Sequence, residues 1–371
     1  MDMTNVLGVI NLINEKPILK ELTLHRCLAS VPFGGRYRFI DFVLSNFIHA
    51  EISQVAVFTK DNGRSVLDHL GSGKEWDLDR HNGGLFILPP VSDDAKLRGD
   101  IQGFYDHREF FERTSADLVI ISPGHQVSKL DVAALLEFHE KTQADITIVY
   151  REYDGDPIQK PNYHQVTVDK KGNILDIDMF TAPQKGDCVC LETYVLPKSL
   201  LMDLIQTCYE NGEVDFLKDA IKANVHKYNI KAFNHKGNMI FIHSMNSFHA
   251  ANMALLNPDT IRAFFYEDWE VYTKIKHEPP TKYGQAARVT NSFIANGSDI
   301  EGTVENSIIF RGVKIKKGAV VKNSIVMQKT EVEDDAVLEN VIADKQVAVT
   351  QHKVVVGTPS HPKVLRKKEI I

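Results

Sequence analysis

Through the first 150 residues, short runs of aliphatic and β-branched side chains alternate with stretches whose apolar positions recur three and four apart. Val6–Ile13, Val55–Thr59, Leu118–Ile121 and Ile146–Tyr150 have the character of strands. Between them, Tyr37–Ala50 sets Ile40, Val43, Leu44 and Phe47 on one helical face, and Leu130–His139 does the same with Val132, Leu135 and Leu136. This alternation predicts a doubly wound α/β fold with a mainly parallel mixed sheet. Ligands of such sheets bind beyond the carboxyl ends of the strands, so the segments after Ile13, Thr59 and Ile121 are where chemistry is to be sought.

The texture changes near residue 285. The stretches VTNSFI, VENSII, VKNSIV and LENVIA recur with a shared asparagine at 291, 306, 323 and 340, the last two intervals each 17 residues. That step is close to one coil of a left-handed parallel β-helix, three hexapeptides of about six residues each. Val313, Ile315 and Val321 supply inward apolar positions, and Gly297, Gly302, Gly312 and Gly318 are candidates for the corners. Asn252–Tyr272 has a helical pattern, and His277–Tyr283, with two consecutive prolines, an extended one. The expected organisation is therefore a front domain over 1–250, a linker over 251–285 and a β-helix over 286–371. A solenoid of this kind has open ends and stacks on another domain or subunit.

Composition narrows the picture. A chain of 371 residues accommodates two cores, and 43% hydrophobic with 25% charged residues is ordinary for a water-soluble globular protein. No apolar run is long enough for a membrane span. Val6–Ile13 lacks a basic flank and a small-residue cleavage site, so a secretion signal is not expected. A formal charge of −6 argues against a nucleic-acid surface, and the tail cations Lys363, Arg366, Lys367 and Lys368 are too few to change that. Cys27, Cys188, Cys190 and Cys208 show no disulfide spacing, which fits a cytoplasmic location. Cys188 and Cys190 fall in an apolar strand pattern rather than in a metal motif.

Several segments, in order, resemble the ADP-glucose pyrophosphorylase family: VPFGGRYRFIDFVLSN (31–46), GSGKEWDLDRHNGG (71–84), RGDIQGFYDH (98–107), DFLKDAI (215–221) and the repeats. The resemblance covers nearly the whole chain and implies a Rossmann-like nucleotidyltransferase domain followed by the β-helix. Members join glucose 1-phosphate to ATP, releasing pyrophosphate. Catalysis there rests on positioning and on neutralising charge with a glycine-rich loop, basic side chains and a divalent cation held by carboxylates.

The residues that carry that chemistry are replaced here. Against the family's GGxGxRL loop, this chain has Ile13-Asn14-Glu15-Lys16-Pro17-Ile18-Leu19, without glycine and with Ile18 in place of the arginine. Leu28 replaces the lysine before PAVPFGG. The metal-binding aspartate of SGDH corresponds to Gly124, and that of GYWKDVGT to Phe241. The FxEKP motif is degraded to Met179-Phe180-Thr181-Ala182-Pro183. This pattern resembles the GlgD-type, non-catalytic branch of the family. It implies no cofactor for this chain, magnesium in the catalytic partner, and a heterotetramer with a catalytic GlgC-type subunit, with no nucleic acid or membrane involved.

His125 and Gln126 stand where the old site should open, either as ligand contacts or as plain surface groups. Arg36 and Arg38 are candidates for a sugar-phosphate or nucleotide effector, or for pairing with Asp41. Asp77, Asp79 and Arg80 suit a charge-paired turn better than a replacement metal site, and Lys218 is expected on the sugar side of the pocket. Two rivals stand beside the regulatory reading. One is an active adenylyltransferase with other metal ligands. The other is a hexapeptide acyltransferase, which needs a histidine base, and no histidine occurs between 278 and 351.

Overall fold

The computed structural model describes residues 6–60, 63–91, 98–155, 163–180, 183–265 and 269–371. Thr181 and Ala182 of the degraded FxEKP segment lie outside the described residues, and so does the side chain of Phe180. The chain divides into two compact units, one of residues 1–16, 27–29 and 42–239, the other of 17–26, 30–41 and 240–371.

In the first unit, nine strands form one sheet: β1 Val6–Asn11, β2 Gln54–Phe58, β3 Gly84–Leu88, β4 Leu118–Pro123, β5 Ile146–Glu152, β6 Tyr163–Val168, β7 Ile174–Phe180, β8 Cys188–Pro197 and β9 Ile230–Asn234. Their order is β7-β6-β8-β4-β1-β2-β3, with β5 pairing both β8 and β9. Strands β1 to β4 run parallel, while β8 runs antiparallel to β4 and β5. The mixed, mainly parallel α/β sheet expected from the alternation is present. Its central strands β1 and β4 are apolar because helices cover them; Leu7, Val9, Ile10, Val119 and Ile120 are inaccessible to solvent. Helix α1, Phe39–His49, lays Phe47 across β1 at Gly8, where a β-carbon would stand 2.8 Å from that ring. Helix α2, Val132–Thr142, starts at Asp131, whose carboxylate accepts the Ala134 amide at 2.9 Å.

The second unit holds the left-handed parallel β-helix: three sheets of five parallel strands. Thr303 pairs with Val320, Val320 with Val337 and Val337 with Val354, a step of 17 residues each time. The recurrent asparagines are corner residues. Asn291, Asn306, Asn323 and Asn340 have φ of 42°, 45°, 46° and 52°, the left-handed region that asparagine tolerates better than other side chains. The residue after each corner completes a ladder: Ser292, Ser307 and Ser324 accept through Oγ the amides of Ser307, Ser324 and Val341, at 3.0, 3.1 and 3.0 Å. Inside, Ile300, Val313, Ile315, Val321 and Leu338 are fully buried. The coil begins at Lys282–Tyr283, ahead of the expected 286. Before it, the helical pattern resolves into two helices, α3 Met245–Ala254 and α4 Pro258–Phe265, and residues 269–272 are not helical.

A β-branched side chain at a left-handed corner is strained, whereas glycine fits. Asn323→Val is expected to cost roughly 1–2 kcal/mol, and Asn323→Gly to be close to neutral; urea unfolding followed by far-ultraviolet circular dichroism separates the two.

Candidate functional site

At the carboxyl ends of β1 and β4 lies a cavity of about 90 Å³, lined entirely by the first unit. Asn11 closes β1, accepting the Ile13 amide at 3.0 Å and donating to Asp100 at 2.8 Å. Lys60, just beyond β2, points its ammonium at backbone, donating to the carbonyls of Ile13 at 2.9 Å and Glu15 at 3.4 Å.

Three carboxylates organise the cavity wall. Glu15 accepts the successive amides of Leu28 and Ala29 at 2.6 and 2.8 Å, an arrangement in which backbone amides usually receive a bound anion. Burial raises its pKa to about 7, against the pull of those amides and of Lys60. Asp100, only 4% exposed, accepts the Phe216 amide at 2.8 Å; burial, with a contribution from Asp215, raises it to about 7 as well. Glu192 behaves oppositely. Burial works to raise it, but the hydrogen bond from His164 and the charges of Lys16, His164 and His125 prevail and hold it at about 2. His164 Nδ1 donates to Glu192 Oε1 at 3.1 Å, and Lys16 Nζ lies 3.5 Å from the same oxygen. Glu192 does this from a left-handed backbone, φ 52°, where the register of β8 against β5 shifts. His125 is driven down to about 4 by burial and is neutral at physiological pH. One nitrogen on each imidazole, His125 Nδ1 and His164 Nε2, is buried without a hydrogen-bond partner.

The sequence candidates fall in different places. Gly124 is enclosed: a β-carbon there would lie 2.2 Å from Leu12, 2.8 Å from the Ala29 methyl and 3.3 Å from Ile10. Leu28 is buried, with its amide on Glu15. Phe241 is buried at 8% exposure, and Ile18 is half-buried. His125 lines the cavity, but the Gln126 amide donates to the Leu191 carbonyl. Lys218 lies outside the lining, its ammonium 3.9 Å from Asp215; Asp215, Phe216 and Leu217 are the members of that segment that reach the cavity. Asp77, Asp79 and Arg80 form the expected turn, with the Arg80 guanidinium on the Asp77 carboxylate and carbonyl and Ser72 donating to Asp79 at 3.1 Å.

These residues do not fit a magnesium ion. The Gly124 position has no room for a carboxylate, and among the described residues no group of three or more His, Cys, Asp or Glu side chains is placed to hold a metal.

The second unit carries a cationic cluster. Arg26 Nη2 lies 2.9 Å from the Asp344 carboxylate, and both side chains are buried. Beside them, Lys345 is brought down to about 7 by burial and by Arg38 and Arg26, with Lys367 adding and Asp344 opposing. The Arg38 amide donates to Asp41 at 2.9 Å, and the Arg36 guanidinium lies over the Tyr37 ring at 5.2 Å. Arg36 is also among the charges that, after burial, lower the pKa of Arg311.

Comparison with known proteins bears on both units. Residues 18–258 match the nucleotidyl transferase family model, and residues 275–362 match that of the GlmU-like C-terminal hexapeptide. The glycogen biosynthesis protein GlgD of Bacillus subtilis is 37% identical over 98% of this chain and 96% of its own length. GlgD of Geobacillus stearothermophilus is 38% identical over 85% of this chain and 82% of its own length. The glucose-1-phosphate adenylyltransferase of Geobacillus stearothermophilus is 31% identical, covering 82% of this chain and 79% of its own length. The chain belongs to the glucose-1-phosphate adenylyltransferase family, among its GlgD members. Among the described residues, no helix is long and apolar enough to cross a membrane.

Set against the adenylyltransferase motifs, Glu15 and Lys16 read only as obstacles to a glycine-rich loop, and Asp100 only as part of a matching segment. Glu192 and His164 carried no motif. The available signal was a glutamate interrupting the apolar run CVCLETYVL. Lys345 gave no signal, because its neighbours Arg26 and Arg38 are distant in sequence.

Gly124→Asp is expected to cost at least about 3 kcal/mol, the sum of overpacking and of burying a carboxylate among apolar groups; thermal unfolding measures it. The raised pKa of Asp100 has a definite sign. Its contribution to stability is fully present below the unfolded value near pH 4 and is lost as pH rises through 7. Asp100→Asn therefore should remove that loss, so that its stability relative to the unsubstituted chain improves between pH 5 and 8 by on the order of 3 kcal/mol. Chemical denaturation of both proteins across that range checks it.

Proposed function

We propose that this chain is a regulatory, non-catalytic subunit of ADP-glucose pyrophosphorylase in glycogen biosynthesis, acting on a catalytic GlgC-type partner. The observation that carries this reading is the enclosure of Gly124 by Leu12, Ala29 and Ile10, which leaves no space for a metal carboxylate. Glu15, lying on the amides of Leu28 and Ala29, supports the same conclusion from the nucleotide side. Without a metal or a phosphate loop, the charge that develops in phosphoryl transfer has nothing to neutralise it.

Regulation is then a matter of assembly. The partner is a catalytic homologue, most simply in a heterotetramer, and the effect is a different set of subunit contacts in the two states of that homologue. A coupling of roughly 1–3 kcal/mol changes a partner's binding constant about 5–150-fold. The effector reading centres on Arg38, with Arg26, Lys345 and Lys367. Burial first, and then the charges of Arg38 and Arg26, lower the Lys345 pKa to about 7; an anion stabilises such a group of cations, and a sugar phosphate or nucleotide supplies one. Arg36, over the Tyr37 ring, is a second candidate, with Arg311 as its cationic neighbour.

Incubation of the purified chain with ATP, magnesium and glucose 1-phosphate should release pyrophosphate only at background rate, and robust release would sink the non-catalytic reading. Co-expression with an adenylyltransferase homologue, followed by size-exclusion chromatography with light scattering, should give a four-subunit complex. Its kcat/KM should differ by about fivefold or more from that of the homologue alone; separate elution, or an unchanged constant in a confirmed complex, defeats the corresponding half.

A further inference from the structure

The conformation of Glu192 calls for a cause. It is a non-glycine residue held at φ 52° at a break in the β8 register, and strained backbone of this kind persists where surrounding structure demands it. What the strain achieves is visible: the carboxylate reaches the cavity, and both His164 and Lys16 converge on its Oε1. His125 and His164 also line this wall, and each keeps a buried ring nitrogen without a hydrogen-bond partner. Three other carboxylates on the cavity wall have partners of their own, Asp215 accepting the Lys218 amide at 2.9 Å. Glu15 is engaged by the amides of Leu28 and Ala29, and Asp100 by the Phe216 amide and the Asn11 side chain.

We propose that Lys16, His164 and His125 form a latent oxyanion site which the chain's own Glu192 occupies, so that the cavity takes a tetrahedral anion the size of inorganic phosphate only when that carboxylate is displaced. A carboxylate and a phosphoryl oxygen satisfy the same ammonium and imidazole donors, so one replaces the other without rebuilding the site. A cavity of about 90 Å³ suits a guest of the size of a single small anion. Glu192 is thus a built-in plug for these donors. This inference rests on the non-catalytic reading of the cavity, because an active site would have to admit phosphates in the unsubstituted chain.

The test is calorimetric titration of inorganic phosphate into the full-length chain and three variants: Glu192→Gly, Glu192→Gln and the double variant Lys16→Gln with Glu192→Gly. Glycine removes both the plug and the backbone strain, so its melting temperature should not fall; glutamine keeps the shape and removes the charge. Both single variants are expected to bind phosphate at least tenfold more tightly than the unsubstituted chain, and the double variant to lose that gain. Equal binding by the unsubstituted chain, no gain in either single variant, or a gain that survives removal of Lys16 overturns the proposal. Pyrophosphate release from ATP and glucose 1-phosphate, measured on the same samples, keeps the two readings apart. Turnover by the unsubstituted chain refutes the non-catalytic reading, whereas a flat phosphate titration without turnover refutes only the plug.

Discussion

One contact determines how the front of this protein is built: the Glu15 carboxylate lying on the amides of Leu28 and Ala29. It ties the segment after β1 to a turn 13 residues away and brings the Ala29 methyl against the enclosed Gly124. A loop anchored in this way does not need glycine, because no phosphate has to approach its backbone. Lys60 then becomes available to hold the loop's carbonyls instead of a ligand. The replacements that looked independent in the sequence, Glu15 in the loop, Leu28 for a lysine and Gly124 for an aspartate, are parts of one packing solution.

The same economy runs through the rest of the cavity. Groups suited to gripping phosphate are engaged by internal carboxylates, Lys16 and His164 by Glu192 and the Phe216 amide by Asp100. The two raised pKa values and the one depressed value follow from that arrangement, burial dominating at Glu15 and Asp100 and the cationic partners prevailing at Glu192. In the second unit the balance is reversed, since Arg26 has one carboxylate and Lys345 has a surplus of cations for neighbours. At the cavity the charges are matched by internal partners, whereas Lys345 lies among cations.

Features with a period were legible in the sequence. The α/β alternation and the 17-residue step are properties of neighbouring residues, and the recurring asparagines have a local cause in their left-handed φ. The helical stretch before the β-helix was overextended to Tyr272, because apolar spacing alone does not mark where a helix stops. The site was legible only by what had been replaced. Asn11 meets Asp100 across 89 positions, Lys16 meets Glu192 across 176 and Arg26 meets Asp344 across 318, and no spacing rule connects such pairs. Lys218, by contrast, sits in a well-matched motif and yet is not among the residues lining the cavity, as its neighbours Asp215 and Phe216 are.

The central claim is that the front cavity has been closed to nucleotide by side chains that satisfy one another. Titration of magnesium-ATP into the isolated chain, read by isothermal calorimetry in parallel with direct magnesium titration, addresses it most directly. The account predicts no saturable heat at this cavity, and none that responds to Lys16→Gln. Stoichiometric magnesium-dependent binding of ATP, weakened by Lys16→Gln, would contradict it.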